Sequence, residues 1–503
     1  MILIKNSVVI DGTGNPGEKK DVLIKDDKIV GVGNFNNQQA DVIIDGMGLT
    51  TTPGFIDVNT DSDHYLSLFT DPAQQDFLLQ GVTTIIGGHC GSSLAPLIKG
   101  TLESIRKWAD INLVNVNWNT MAEFLTNADK LHLGVNFGTL IGHSTIRRAI
   151  LGDVLRDLTV PELDMLKAVV KQALDEGAFG VSTGLAYNHA RNTPYAEIKM
   201  LAELTARAGG VYTTHLRHEH ENLVSAVGEA VSIAQETGVR TVISHFRALR
   251  GFEDQFTKAL ALIEHSAGDI RFDAYPFDYS IVPVYTLLPE WAQQGSLEQM
   301  QKALADEQNA AEIKKFFKDA KGEDIVIARA PGFDFLIGKT MAEYATGQEL
   351  GIPEAFLTFM RQTKLKPVVF KRNINFNETV KALMSERALI ASNSPSLLEG
   401  RNVLENERAA KTFTEFLDIV AQTPTLSAGS GQGKSKEWAI NKITFKAAQQ
   451  FNLKNRGVVK EGAIADIALL NGARAVHVIV GGKLAVKDGV YQGVCNGKIL
   501  RRG

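Results

Sequence analysis

The chain has 503 residues, with 53 Lys and Arg against 57 Asp and Glu, a formal net charge of −4 and two cysteines. That length accommodates a large catalytic domain and a smaller one, and the balanced charge, without any Lys/Arg block, gives no reason to expect nucleic acid as a partner. No apolar run approaches the roughly 18 residues of a membrane helix, Met1-Ile2-Leu3-Ile4-Lys5 has none of the features of a secretory leader, and two cysteines cannot build a disulfide framework, so a cytoplasmic globular protein with no membrane partner is expected.

The first fifty residues alternate short apolar runs (Ile2-Leu3-Ile4, Val8-Val9-Ile10, Val22-Leu23-Ile24, Ile29-Val30, Val42-Ile43-Ile44) with turn signals such as Asp11-Gly12 and Asn15-Pro16-Gly17. Such alternation reads as a small β unit. The last sixty residues repeat the pattern in Ala465-Asp466-Ile467-Ala468-Leu469-Leu470 and Ala475-Val476-His477-Val478-Ile479-Val480. Between them, helical periodicity over Val160 to Glu176, Ile198 to Ala208 and Leu223 to Thr237 precedes β-branched runs each time. Strand–helix repeats of that length argue for βαβ units and a parallel sheet. The fold expected is α/β, a TIM-type (β/α)8 barrel with a small β-sandwich built from both termini; pattern alone leaves a doubly wound sheet open. The expected division is 1–53 plus 437–503 for the sandwich and 54–436 for the barrel, with an insertion at about 284–375 where the rhythm breaks.

Three of the β-branched runs stop at a metal-ligand side chain: Val82 to Cys90, Gly210 to His215 and Val239 to His245. In a parallel barrel the carboxyl ends of all strands share one face, so these donors converge there. One thiolate and two imidazoles form a zinc-type set with a position left for water. Cys90, His215 and His245 are therefore the expected ligands of one Zn2+. A separate motif, Gly429-Ser430-Gly431-Gln432-Gly433-Lys434-Ser435, is similar to a phosphate loop, but Ala428 stands where the pattern needs Gly and a helical stretch precedes it instead of a strand. It is expected to be a loop before a helix starting near Glu437.

Pro53-Gly54-Phe55-Ile56-Asp57-Val58, Gly88-His89-Cys90-Gly91, Gly180-Val181-Ser182-Thr183-Gly184, Thr214-His215-Leu216-Arg217, Ile243-Ser244-His245, Asp273-Ala274-Tyr275-Pro276-Phe277 and Arg456-Gly457 to Asp466 occur in this order. The ordered set resembles the amidohydrolase superfamily, and within it the D-aminoacylase (N-acyl-D-amino-acid deacylase) family. The resemblance implies Cys90, His215 and His245 as tight metal ligands and Tyr275 as the phenol that polarises the scissile carbonyl. It implies Tyr187, Arg247 (where a Lys is usual) and Arg408 as the grip on a substrate carboxylate, since a guanidinium suits that role.

Two departures stand out. Where the superfamily has His-x-His after the first barrel strand, this chain has Asn59-Thr60-Asp61, and where the family has Ser-Asp it has Asn393-Ser394. An amide positions water but does not take its proton. Asp61 is the favoured replacement, as a further metal ligand or as proton acceptor, with Asp63 the other acceptor; His218, Glu219 and Asp278 are additional acids and bases near strand ends. His89 reads as a packing or outer residue and His143 as pocket lining. His64, His132, His189, His220, His265 and His477 read as surface or packing residues. The function expected is metal-dependent hydrolysis of a non-peptide C–N bond in a small carboxylated amide, an N-acyl amino acid. The alternative is a catalytically silent member of the same fold with a structural metal or a ligand-binding role.

Overall fold

The computed structural model describes all of residues 1–503 except 99–101, 103–104, 107, 153, 397–403 and 423–433. Eight strands form the barrel: β1 (Phe55–Asp57), β2 (Val82–Gly87), β3 (Asn136–Thr139), β4 (Gly180–Gly184), β5 (Val211–His215), β6 (Arg240–Ile243), β7 (Ile270–Ala274) and β8 (Ala388–Ile390). Every ladder recorded between them is parallel. Beyond β3 the short strand Ile141–Gly142 continues onto β4. The ring closes between β8 and β1 through Asn393 N to Asn59 O at 2.8 Å and Asp61 N to Ser394 O at 3.1 Å. The backbone amide of Ser392 also donates to the Asp57 carboxylate at 3.1 Å. This is the (β/α)8 barrel expected from the strand–helix rhythm.

Strand alternation divides the apolar residues between two layers. Ile56, Ile86, Val211, Val242 and Leu389 pack together as one cluster inside the barrel. Their neighbours Phe55, Ile85, Val181, Ile243 and Ile390 point outward into the cluster formed with the helices. The helix Val160–Asp175 begins with a Thr159–Glu162 capping box and a proline in its first turn, features that satisfy orphan amides and preset φ. Leu223–Thr237 ends on Gly238 in the left-handed region, the usual helix stop.

Strands from both chain ends make one nine-stranded sheet. Thr50–Pro53 joins Ile467–Asn471 in antiparallel register, and the sheet encloses Ile2, Ile4, Val22, Ile24, Ile467, Leu469 and Ile479. The alternate residues Ala468, Leu470, Val478 and Val480 face the barrel helices instead. Where the rhythm breaks, Ser280–Pro283, Ile325–Arg329 and Val368–Lys371 form a separate antiparallel sheet. It carries its own apolar cluster, including Phe317, Phe356 and Phe359.

The glycine-rich motif at 429–433 lies outside the described residues. Its flanking residues have structural partners: Lys434 pairs with Glu386 at 2.8 Å, and Ser435 caps the helix Lys436–Ile443.

Candidate metal centre

The three expected ligands reach one point by three slightly different routes. His215 is the last residue of β5, whereas His245 lies two residues and Cys90 three residues past the ends of their strands. Cys90 (φ 52°) and His245 (φ 39°) both sit in the left-handed region, as does Asn393 (φ 46°) beyond β8. Such conformations cost of order 1–3 kcal/mol each and persist where the surroundings impose them. For Cys90 the surroundings include Gly88 and Gly91, also at positive φ, with Gly88 against the Leu140 backbone so closely that a Cβ would fall 2.4 Å from that carbonyl oxygen.

One donor atom from each of Cys90, His215 and His245 lies within 4.8 Å of the other two, and all three residues are buried. His245 turns Nε2 to the Cys90 Sγ at 3.5 Å. Its Nδ1 and both ring nitrogens of His215 are buried without a hydrogen-bond partner. Buried polar atoms ordinarily find partners, so orphaned imidazole nitrogens beside a thiol fit an ion-binding site in burial and donor chemistry alike. Burial pushes the Cys90 thiol well up, helped by the carboxylates of Asp61, Asp273 and Glu219. Burial, then the neighbouring His215, lowers His245 to about 4, keeping it neutral as a ligand must be.

Asp61 is not part of this donor set. One oxygen of its carboxylate is held by His64, with Nδ1 to Oδ1 at 3.1 Å. Burial alone would raise the Asp61 carboxyl, but His64, then Arg408, hold it below its usual value. His64 Nε2 meets the Ser92 carbonyl at 3.1 Å. Burial alone would lower this imidazole; Asp63 and Asp61 raise it to about 9 instead. Asp63 is buried and accepts from the Gly88 amide at 2.7 Å, supporting the β2 turn rather than facing the donors. Burial raises its pKa. Asn59 donates Nδ2 to Asp273 at 3.1 Å, and Asp273 in turn accepts from the His245 amide at 2.7 Å.

The two arginines read as carboxylate anchors are already engaged. Arg247 Nη2 binds both oxygens of Glu219 at 3.0 Å. Arg408 is buried, spends Nε and Nη2 on the Ser392 carbonyl at 3.0 and 2.9 Å and also binds the Asn393 carbonyl. Its guanidinium lies 3.8 Å from the Tyr275 ring centroid. Arg247 Nε is buried without a hydrogen-bond partner, so the guanidinium keeps donor capacity beyond the Glu219 pair. The Tyr275 hydroxyl is buried without a partner. Tyr187 meets the His215 ring edge-on at 5.1 Å and borders a cavity of about 390 Å³ also lined by Trp108, His189, Tyr285 and Gln299.

Glu219, one of the acids expected near a strand end, stands beside the two imidazoles. Its oxygens lie 3.6 Å from His215 Nε2 and 3.6 Å from His245 Nδ1. Its position four residues after His215 was the only signal, and an acid in a loop carries no facing information. Asp278 instead pairs with Arg250 at 3.5 Å. His143 binds Glu197 at 2.7 Å in the interior. His89 is fully buried, with both nitrogens unpartnered.

A parallel barrel with a two-ended β domain carries, at its carboxyl rim, a Cys–His–His donor set of the kind that could hold a metal ion. No protein-family model matches the chain. The chain is 27% identical over 506 residues to the N-acyl-D-aspartate deacylase of Alcaligenes xylosoxydans xylosoxydans, covering 99% of this chain and 91% of that protein. It superposes on the crystal structure of D-aminoacylase, described as defining a novel subset of amidohydrolases, with a TM-score of 0.80 and 25% identity, covering 100% of this chain and 99% of the other. A fold likeness at 23% identity and a TM-score of 0.79, covering 99% of each chain, links it to N-acyl-D-glutamate deacylase from Bordetella bronchiseptica complexed with zinc and a phosphonate inhibitor. By these comparisons the chain is similar, over its full length, to the D-aminoacylases and N-acyl-D-amino-acid deacylases.

Proposed function

We propose that this chain is a zinc-dependent amidohydrolase that removes the acyl group from an N-acyl amino acid by cleaving a non-peptide C–N bond. The carrying observation is the convergence of buried Cys90, His215 and His245 donors within 4.8 Å of one another at the barrel rim. The deacylase activity named for the relatives supports the reading. One zinc ion held by these residues would supply Lewis-acid polarisation and acidify water.

The chain's own residues divide the remaining work. Asp61, hydrogen-bonded to His64 and still partly exposed, accepts the proton. Asn393 holds the opposing strand end, where its backbone joins that of Asn59 at 2.8 Å. The unpartnered Tyr275 hydroxyl meets the scissile carbonyl oxygen, and Tyr187 guides the carboxylated substrate from the adjoining cavity. In this reading residues 1–53 with 437–503 make the β domain and 54–436 the barrel, with the insertion at about 284–375 contributing Tyr285 and Gln299 to the cavity wall. A reducing, cytoplasmic setting suits the free Cys90 thiol.

Turnover of a panel of N-acyl D- and L-amino acids by purified protein supplied with zinc tests the proposal. Release of free amino acid, lost in Cys90→Ala together with the metal, is expected. A zinc-loaded protein that turns over no member of the panel would overturn it in favour of a binding role.

A further inference from the structure

The Glu219 carboxylate has no place in the donor set, yet it touches more of the set's members than any other acid described. Oε1 lies 3.6 Å from His245 Nδ1 and Oε2 lies 3.6 Å from His215 Nε2. Both oxygens are bound by Arg247 Nη2 at 3.0 Å. Arg247 follows His245 by two residues, and Glu219 follows His215 by four, so one ion pair ties together the loops after β5 and β6.

The ring geometry of His245 decides the role of the pair. Nε2 faces the Cys90 sulfur at 3.5 Å, so Nδ1 is the nitrogen turned away from the thiol, and Glu219 stands on that outer side. A ligating Nε2 must be bare, which puts the single proton of a neutral imidazole on Nδ1, aimed at a carboxylate oxygen. Metal-binding imidazoles commonly donate their other N–H to such an acceptor, which fixes both tautomer and ring angle. The separation of 3.6 Å is just beyond a hydrogen bond, a gap that a small rotation of the ring or the carboxylate closes.

We infer that Glu219, anchored by Arg247, is a positioning residue that orients the imidazole of His245 for the metal without ligating it. The inference rests on the metal-centre reading above and deepens it. It gives Arg247 a role as the partner of Glu219, one guanidinium nitrogen reaching both carboxylate oxygens at 3.0 Å.

The test is zinc affinity, measured by competition with a chromophoric chelator on the full-length protein, together with the thiolate-to-cobalt absorption band of the cobalt-loaded form. Glu219→Gln is expected to weaken zinc binding about 10–100-fold while the cobalt–thiolate band persists. Arg247→Gln should weaken binding in the same direction, and Glu219→Asp, which keeps the charge but withdraws it, should fall between Gln and wild type. Cys90→Ala should abolish the band. If Glu219→Gln does not fold, as judged by circular dichroism, Glu219→Asp and Arg247→Gln carry the test. Zinc affinity within twofold of wild type in the folded variants would overturn the positioning role while leaving the metal centre intact. Loss of the cobalt–thiolate band in folded Glu219→Gln would overturn it by showing that the donor set itself depends on this acid. A wild-type protein that binds neither metal would overturn the metal-centre reading and this inference with it.

Discussion

Asp61 and Asn393 stand at the two strand ends where the family pattern is broken, and their surroundings assign them different work. Asp61 keeps a carboxylate paired with an imidazole, whereas Asn393 is an amide held by its own backbone. Asp61→Asn is therefore expected to lower kcat by ~10²–10⁴ with zinc content unchanged, checked by steady-state kinetics alongside elemental analysis. Asn393→Asp is expected to leave kcat within a few-fold or reduce it; a gain of about a hundredfold would mean that proton transfer had been missing, not relocated. His64 gives a pH prediction. Its Nδ1 and Nε2 face a carboxylate and a carbonyl, both acceptors, so the cation is favoured and its value rises to about 9. A group raised on folding stabilises fully below its unfolded value, near 6.5, and that stability is lost as pH climbs through about 9. Thermal melts from pH 6 to 10 should show a decline of about 3 kcal/mol that His64→Gln lacks.

At the scale of elements, the turn after β2 controls the centre more than the strand does. Val82–Gly87 is fully buried, but Cys90 is aimed by the backbone that follows, where Gly88 passes against Leu140. Gly88→Ala should cost about 1–3 kcal/mol, because alanine is strained at φ +80° and its methyl meets a carbonyl. The same displacement moves the thiol, so zinc affinity should fall along with the melting temperature. The Asp63 carboxylate, bonded to the Gly88 amide, belongs to this turn, which explains why an acid so near the rim takes no part in the donor set.

The whole molecule is stitched by contacts that join its two ends to the barrel. Asp466 accepts from Asn136 Nδ2 at 3.0 Å and from the Gly481 amide at 2.8 Å, and pairs with Arg456. Its own backbone carbonyl accepts from Gly54 at 2.8 Å. The inserted sheet is different, because its apolar cluster is its own. Phe317 and Phe356 stack there at 4.4 Å between centroids, 5° from parallel. Phe317→Ala should remove about 3–5 kcal/mol of local stability. Hydrogen exchange should then accelerate within residues 280–371 while zinc content stays at the wild-type level; a matching loss of zinc would show that the insertion and the centre unfold together.

What this chain's sequence determined by itself follows from local periodicity. Alternating apolar residues at both ends, helical spacing such as that of Leu223 to Thr237, and β-branched runs stopping at Cys90, His215 and His245 were legible because strands and helices expose one face to the core. The convergence of those three donors was legible too, since a parallel barrel brings its carboxyl ends to one rim. Which charges meet was decided only by tertiary structure. Arg408 lies across the Ser392 and Asn393 carbonyls, Arg247 closes on Glu219, and Asp61 turns to His64. Each of these partners comes from a loop whose path no residue pattern encodes, and a buried charge takes whichever opposite charge or dipole the folded chain brings within reach.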